Sequence, residues 1–153
     1  MIQTRPVQEK DMLFIEKVYR STREEELSQA NWSELQKDAF IMMQSVAQDA
    51  EYNNTFPNAV FEIIEYKKKP VGRLYTGETV SELRLIDITI LPEFRGKGIG
   101  TRILKSLIEN AAGRKKLLTL HVEPSNPALY LYLRLGFIHI NSNGSRYFME
   151  YRP

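Results

Sequence analysis

The sequence predicts an α/β fold, a mixed central sheet flanked by helices. Three observations carry that expectation: segments of helical period alternate with short strand-like runs, two pairs of runs are joined closely enough to be antiparallel hairpins, and a glycine-rich turn connects a strand to a helix. At 153 residues the chain is long enough to bury a core and short enough for one domain, so residues 1–153 are expected to form a single domain.

Ile2 to Arg5 reads as a short strand. Lys10 to Thr22 carries Met12, Ile15, Val18 and Tyr19 at helical spacing, with Asp11 near its start, and reads as a helix. A second helix is expected to begin after Asn31 or Ser33 and to run through Leu35, Phe40, Met43, Val46 and Ala47 to about Ala50, until "NNTFPN" breaks the pattern. Phe40 and Met43 are read as core. Val60 to Tyr66 and Val71 to Thr76 form a hairpin around Lys67-Lys68-Lys69-Pro70. Glu82 to Ile90 is the next strand, Gly98 to Ala112 a helix, Leu117 to Val122 a strand and Pro127 to Leu135 a short helix. Phe137 to Asn141 and Arg146 to Tyr151 close the chain as a hairpin around "SNGS".

Composition removes several function classes. With 42% hydrophobic and 26% charged residues the chain is expected to fold rather than remain disordered. A net charge of +2 argues for neither nucleic acid nor an anionic membrane as partner. Cysteine is absent, which excludes a disulfide framework, a thiolate metal site and a cysteine nucleophile. No leader-like or membrane-spanning apolar run is read, so a cytoplasmic protein, monomer or homodimer, is the expectation.

The stretch "LRLIDITILPEFRGKGIGTRILKSLI" is the most informative. In the strand Glu82 to Ile90 the apolar parity switches midway, as expected where both faces are covered. Asp87 and Thr89 then share a face with Leu83 and Leu85, and a carboxylate there needs either hydrogen-bonding partners or a job. The helix that follows has one apolar stripe, Ile99, Ile103, Leu104, Leu107, Ile108 and Ala111. "RGKGIG" is therefore a strand-to-helix turn whose free N–H groups lie at a helix N-terminus, an arrangement that binds phosphates, with Arg95 and Lys97 adding charge. The spacing is neither G-x-G-x-x-G of a dinucleotide fold nor G-x-x-x-x-G-K-[ST] of a P-loop.

A second motif, "NPALYLYLRLGF", follows the strand "LLTLHV". With "ILPEFRGKGIG" it resembles the GNAT superfamily, the Gcn5-related N-acetyltransferases. R-x-x-G-x-G maps onto Arg95, Gly98 and Gly100; the second signature maps onto Asn126, Ala128, Leu131, Tyr132, Leu135, Gly136 and Phe137. The element order fits the family fold, so the resemblance covers nearly the whole chain. It implies acetyl-CoA as acetyl donor, with the pyrophosphate on the amides of Arg95, Gly96, Lys97, Gly98, Ile99, Gly100 and Thr101. It also implies a pantetheine arm paired with the backbone of Ile88, Thr89 and Ile90, as a peptide adds to a sheet edge. Tyr132 matches the family's general acid, which protonates the leaving thiolate. Asn126 is expected to cap the short helix, with Pro127 at its first position, and to touch the pantetheine.

Direct transfer to a primary amine is the implied reaction: a small molecule, a peptide N-terminus or a lysine. For the general base, Asp87 is favoured over Glu82, with a structural Asp87 or a water chain as alternatives. The acidic run Glu24 to Glu26 is read as a solvated helix end or loop that also offers attraction to a cationic amine. Tyr130 is read as packing, and His121 and His139 as structural. The competing class is a non-catalytic CoA-binding domain of the same fold. A nucleotide-binding regulator is a third reading.

Overall fold

The computed structural model describes all residues from Met1 to Pro153. The strands are β1 (Ile2–Pro6), β2 (Val60–Tyr66), β3 (Lys69–Glu78), β4 (Glu82–Ile90), β5 (Leu117–Val122), β6 (Ile138–Asn143) and β7 (Arg146–Tyr151). They form one mixed sheet in the order β1-β2-β3-β4-β5-β7-β6, in which only β4 and β5 run parallel. The helices are α1 (Met12–Ser21), α2 (Glu24–Gln29), α3 (Glu34–Thr55), α4 (Ile99–Gly113) and α5 (Ala128–Leu135). The α/β class expected from the sequence is the one observed.

Local chemistry explains several boundaries. Ser33 caps α3, accepting the Gln36 N–H at 3.2 Å while the Gln36 side chain accepts the Ser33 N–H at 2.9 Å. Lys67 and Lys68 both adopt positive φ, 53° and 66°, the two-residue turn that suits the twist of a hairpin, and Tyr66 pairs with Lys69 across it. Two expectations need correction. Glu24–Gln29 is a helix of its own, α2, anchored by buried Leu27 against Tyr19 and Ile41. Helix α3 also continues through the asparagines to Thr55 rather than stopping near Ala50.

The two faces of the sheet differ in kind. On one, Leu74, Leu83, Leu85, Leu118 and Leu120 pack with Ile99, Ile103, Leu104 and Leu107 of α4 and with Tyr132 of α5 in a core of 16 buried residues. Residues of opposite parity on β3, Arg73 and Tyr75, lie beneath α1 and α3. That face is polar, so α3 turns Gln44, Gln48, Asp49 and Tyr52 partly inward and leaves Leu35, Met43 and Val46 exposed. The expectation that Met43 belongs to the core is corrected: a helix over a polar surface buries the side that can be hydrogen-bonded. Phe40 is half-buried against the small cluster of Tyr19, Leu27 and Ile41.

The parity switch in β4 has a specific cause. Tyr75 pairs with Asp87 and Thr76 with Leu85, so Ile86 is an extra residue, a β-bulge. Before it, Leu83 and Leu85 face α4; after it, Ile88 and Ile90 do, while Asp87 and Thr89 face α3. The expectation that Asp87 and Thr89 share the leucine face is therefore corrected.

Candidate active site

Strands β4 and β5 pair only from Glu82–Leu117 to Leu85–Leu120. Beyond that point each continues on its other neighbour, β4 on β3 and β5 on β7, and the two part. The bulge at Ile86 sits where they separate. The edge of β4 from Ile86 to Ile90 thus turns unpaired backbone polar groups toward a gap in the middle of the sheet.

At the far end of β4 lies the glycine turn. The first α-helical bond of α4 runs from the Arg102 N–H to the Gly98 carbonyl, 3.1 Å, so the amides before it have no partner in the helix. Gly96 and Gly98 have φ of 77° and 80°, a conformation that favours glycine. Gly100 has ordinary helical backbone, and a Cβ built on it would meet nothing within 4 Å. Neither strain nor crowding within the chain requires glycine there. The open space in front of its amide is where a phosphate would reach the helix N-terminus.

These features open on one cleft of about 690 Å³. Of the residues expected to hold a cofactor, Ile88, Thr89, Ile90, Arg95, Gly96, Gly98, Ile99, Gly100, Thr101 and Asn126 line it; Lys97 is exposed and does not. The Arg95 Nε donates to the Ile90 carbonyl at 2.9 Å, tying the turn to the strand end. Asn126 accepts the Ala128 N–H at 3.0 Å and so caps α5. Ser21, Thr22 and Glu25 reach the cleft from α1 and α2. Glu24 and Glu26 are ion-paired to Arg20 and Arg23, which leaves Glu25 as the member of the acidic run that lines the cleft.

Tyr132 lines both this cleft and a chamber of about 80 Å³ where β4 and β5 separate. It is the most buried residue of α5, 6% exposed, while Tyr130 is 75% exposed, which corrects the reading of Tyr130 as packing. The reason is the outward splay of β4, which leaves the helix's inner face over a gap that a long side chain fills. Burial, and secondly the negative charge of Asp87, push the Tyr132 phenol up to about 12. It therefore stays a proton donor.

Asp87 lines the same chamber, with both oxygens engaged: Oδ2 accepts from Arg73 Nη2 at 2.5 Å and Oδ1 from the Thr89 hydroxyl at 2.9 Å. Arg73 is almost completely buried, also donates to Gln48 at 2.9 Å, and lies 4.9 Å from the centre of the Tyr75 ring. The sequence reading missed Arg73. Its signal was an arginine within the otherwise apolar run Val71–Tyr75, followed by a strand that carries Asp87. Glu82 sits at the closed end of β4, paired with Arg84 at 3.0 Å, and lines neither cavity. His121, read as structural, does line the chamber.

Comparison with known proteins follows the same lines. The profile of the acetyltransferase (GNAT) family matches residues 15–137. The chain belongs to this family. Among solved GNAT-like structures, PaiA N-acetyltransferase from Thermoplasma acidophilum, in complex with coenzyme A, superposes with a TM-score of 0.73 at 18% identity, covering 100% of this chain and 99% of that one. The ribosomal-protein-S18-alanine N-acetyltransferase from Escherichia coli gives a TM-score of 0.67, also at 18% identity, covering 99% and 94%. At such identities the likeness is one of fold. A curated relative, cysteine-rich protein 2-binding protein from Mus musculus, is 35% identical over 77 residues, 49% of this chain. The match spans only 10% of that longer protein.

Proposed function

We propose that residues 1–153 act as one N-acetyltransferase domain that moves an acetyl group from acetyl-CoA directly to a primary amine. The observation that carries this reading is the continuity of the cleft: free amides at the α4 N-terminus, an open β4 edge and a protonated tyrosine lie along one channel. In this reading the amides from Gly96 to Thr101 hold the pyrophosphate, that of Arg95 being taken by the Pro92 carbonyl, and the backbone of Ile88 to Ile90 pairs with the pantetheine arm. Acetyl-CoA supplies an activated thioester. A backbone N–H on the β4 edge faces the carbonyl oxygen as charge grows there. Tyr132 donates its proton to the departing sulfur. The acceptor approaches from the polar face beneath α3, because the α4 side is closed by the apolar core.

The test pairs isothermal titration of acetyl-CoA with a thiol-release assay over spermidine, an alanine-starting peptide and a lysine peptide. Binding heat and amine-dependent thiol release are expected. Heat without thiol marks a CoA-binding domain instead, and preference for ATP or NAD over CoA marks a nucleotide-binding regulator.

A further inference from the structure

His121 occupies the first β5 position beyond the last β4–β5 pair, at the head of the gap. Alternation along β5 sends Leu118, Leu120 and Val122 into the core, so Thr119 and His121 face the other way, toward Arg84. The ring is fixed from β7, where Phe148 pairs with the His121 backbone and lies 5.1 Å away, centre to centre. The chamber it lines holds three titratable side chains. Tyr132 is a donor, and both Asp87 oxygens already accept hydrogen bonds, from the Arg73 guanidinium and the Thr89 hydroxyl. His121 is in no ion pair with a carboxylate, and its contact with Arg84, Nη1 to Nδ1 at 3.4 Å, is at the limit of a hydrogen bond.

We propose that His121 is the general base of the transfer, receiving the proton that the acceptor amine loses. This rests on the acetyltransferase reading of the cleft. The amine nitrogen bonds to the thioester carbonyl carbon and the carbon–sulfur bond breaks. One N–H proton passes to the imidazole, and the Tyr132 proton passes to the departing sulfur. Imidazolium and phenolate then return to their starting forms by proton exchange with solvent. The surroundings suit a base that must start neutral. Burial lowers the His121 pKa, Arg84 on β4 and Arg146 on β7 lower it further, and only Glu82 on β4 opposes them. Tyr132 faces the same chamber from α5 as an uncharged phenol. Arg84 is in this sense a positioning residue, holding Thr119 at 2.7 Å and the field around the ring together.

The experiment compares wild type with His121→Gln, Arg84→Gln and Glu82→Gln. The chain has two histidines, so proton NMR follows each imidazole through pH, with His121→Gln making the assignment. In parallel, kcat/KM is measured against pH with spermidine and the alanine-starting peptide, whose own ionisation is common to all variants. A base works only while neutral, so activity falls as pH drops through the His121 pKa. Arg84→Gln raises that pKa and should move the acidic limb to higher pH; Glu82→Gln should move it to lower pH. The NMR midpoint of His121 should move with it. His121→Gln should lower kcat/KM by about 100-fold or more and abolish that limb, with acetyl-CoA binding and melting temperature unchanged. Wild-type turnover with an unaltered limb in His121→Gln overturns this proposal alone. Acetyl-CoA binding without thiol release in the wild type overturns it together with the catalytic reading.

Discussion

Tyr132 carries an aromatic ring into a gap left by two diverging strands, and its surroundings decide what its hydroxyl does. Phe137 packs against the ring, 5.6 Å between centres, and the phenol is kept protonated by burial rather than by a partner. Tyr132→Phe keeps the ring and its packing and removes only the proton. Turnover should drop roughly 100-fold, the lower range for loss of a general acid, while calorimetric affinity for acetyl-CoA stays within about twofold. A donor must be protonated to act, so wild-type thiol release should not decline on the alkaline side until pH approaches about 12. A phenylalanine variant with full turnover, or a wild-type alkaline limb near neutrality, contradicts the role.

At the scale of elements, the Ile86 bulge decides which way half of β4 faces. Deleting Ile86 would restore unbroken alternation and leave Asp87 and Thr89 facing α3, because Asp87 would then follow Leu85 directly. Arg73 would keep its carboxylate, which only a substitution such as Asp87→Ala takes away. Separating a buried pair costs about 3–5 kcal/mol, a large part of the ~5–15 kcal/mol that holds a domain together. Asp87→Ala should therefore strongly lower or abolish the cooperative thermal transition, followed by circular dichroism, whereas the Ile86 deletion, which leaves the pair on one face, should retain one. The switch in parity was legible in "LRLIDITI", but its cause was not. An extra residue is visible only against the partner strand, and that register is a tertiary fact. Helix α3 misled for a related reason: apolar residues at helical spacing signal a core face, and nothing local says that the sheet beneath is polar. The Ser33 cap, the Lys67–Lys68 turn and "RGKGIG" were legible because their determinants lie within a few residues. In the site, most residues that line the cleft could be read from motifs, while Arg73 gained meaning from the register of β3 on β4 and His121 only where β5 meets β4.

Across the whole molecule, two parts of the sheet are joined through four residue pairs of β4 and β5 and through the core that α4 and α5 share. The glycine turn lies at the start of the helix that spans that junction. Gly100 is in the first turn of α4, with helical backbone and free space around it. Gly100→Ala therefore meets no obstacle within the chain and restricts the unfolded state, so it should stabilise the fold by up to about 1 kcal/mol, a rise of roughly 2–4 °C in melting temperature. The same methyl group would stand where a phosphate must approach, and acetyl-CoA affinity should fall by about tenfold or more, which calorimetry reads directly. A variant with both stability and affinity unchanged would show that no phosphate needs the space beside Gly100. Selection for heat resistance alone would replace Gly100 readily, whereas selection for turnover would keep it. At that one position durability and usefulness pull in opposite directions.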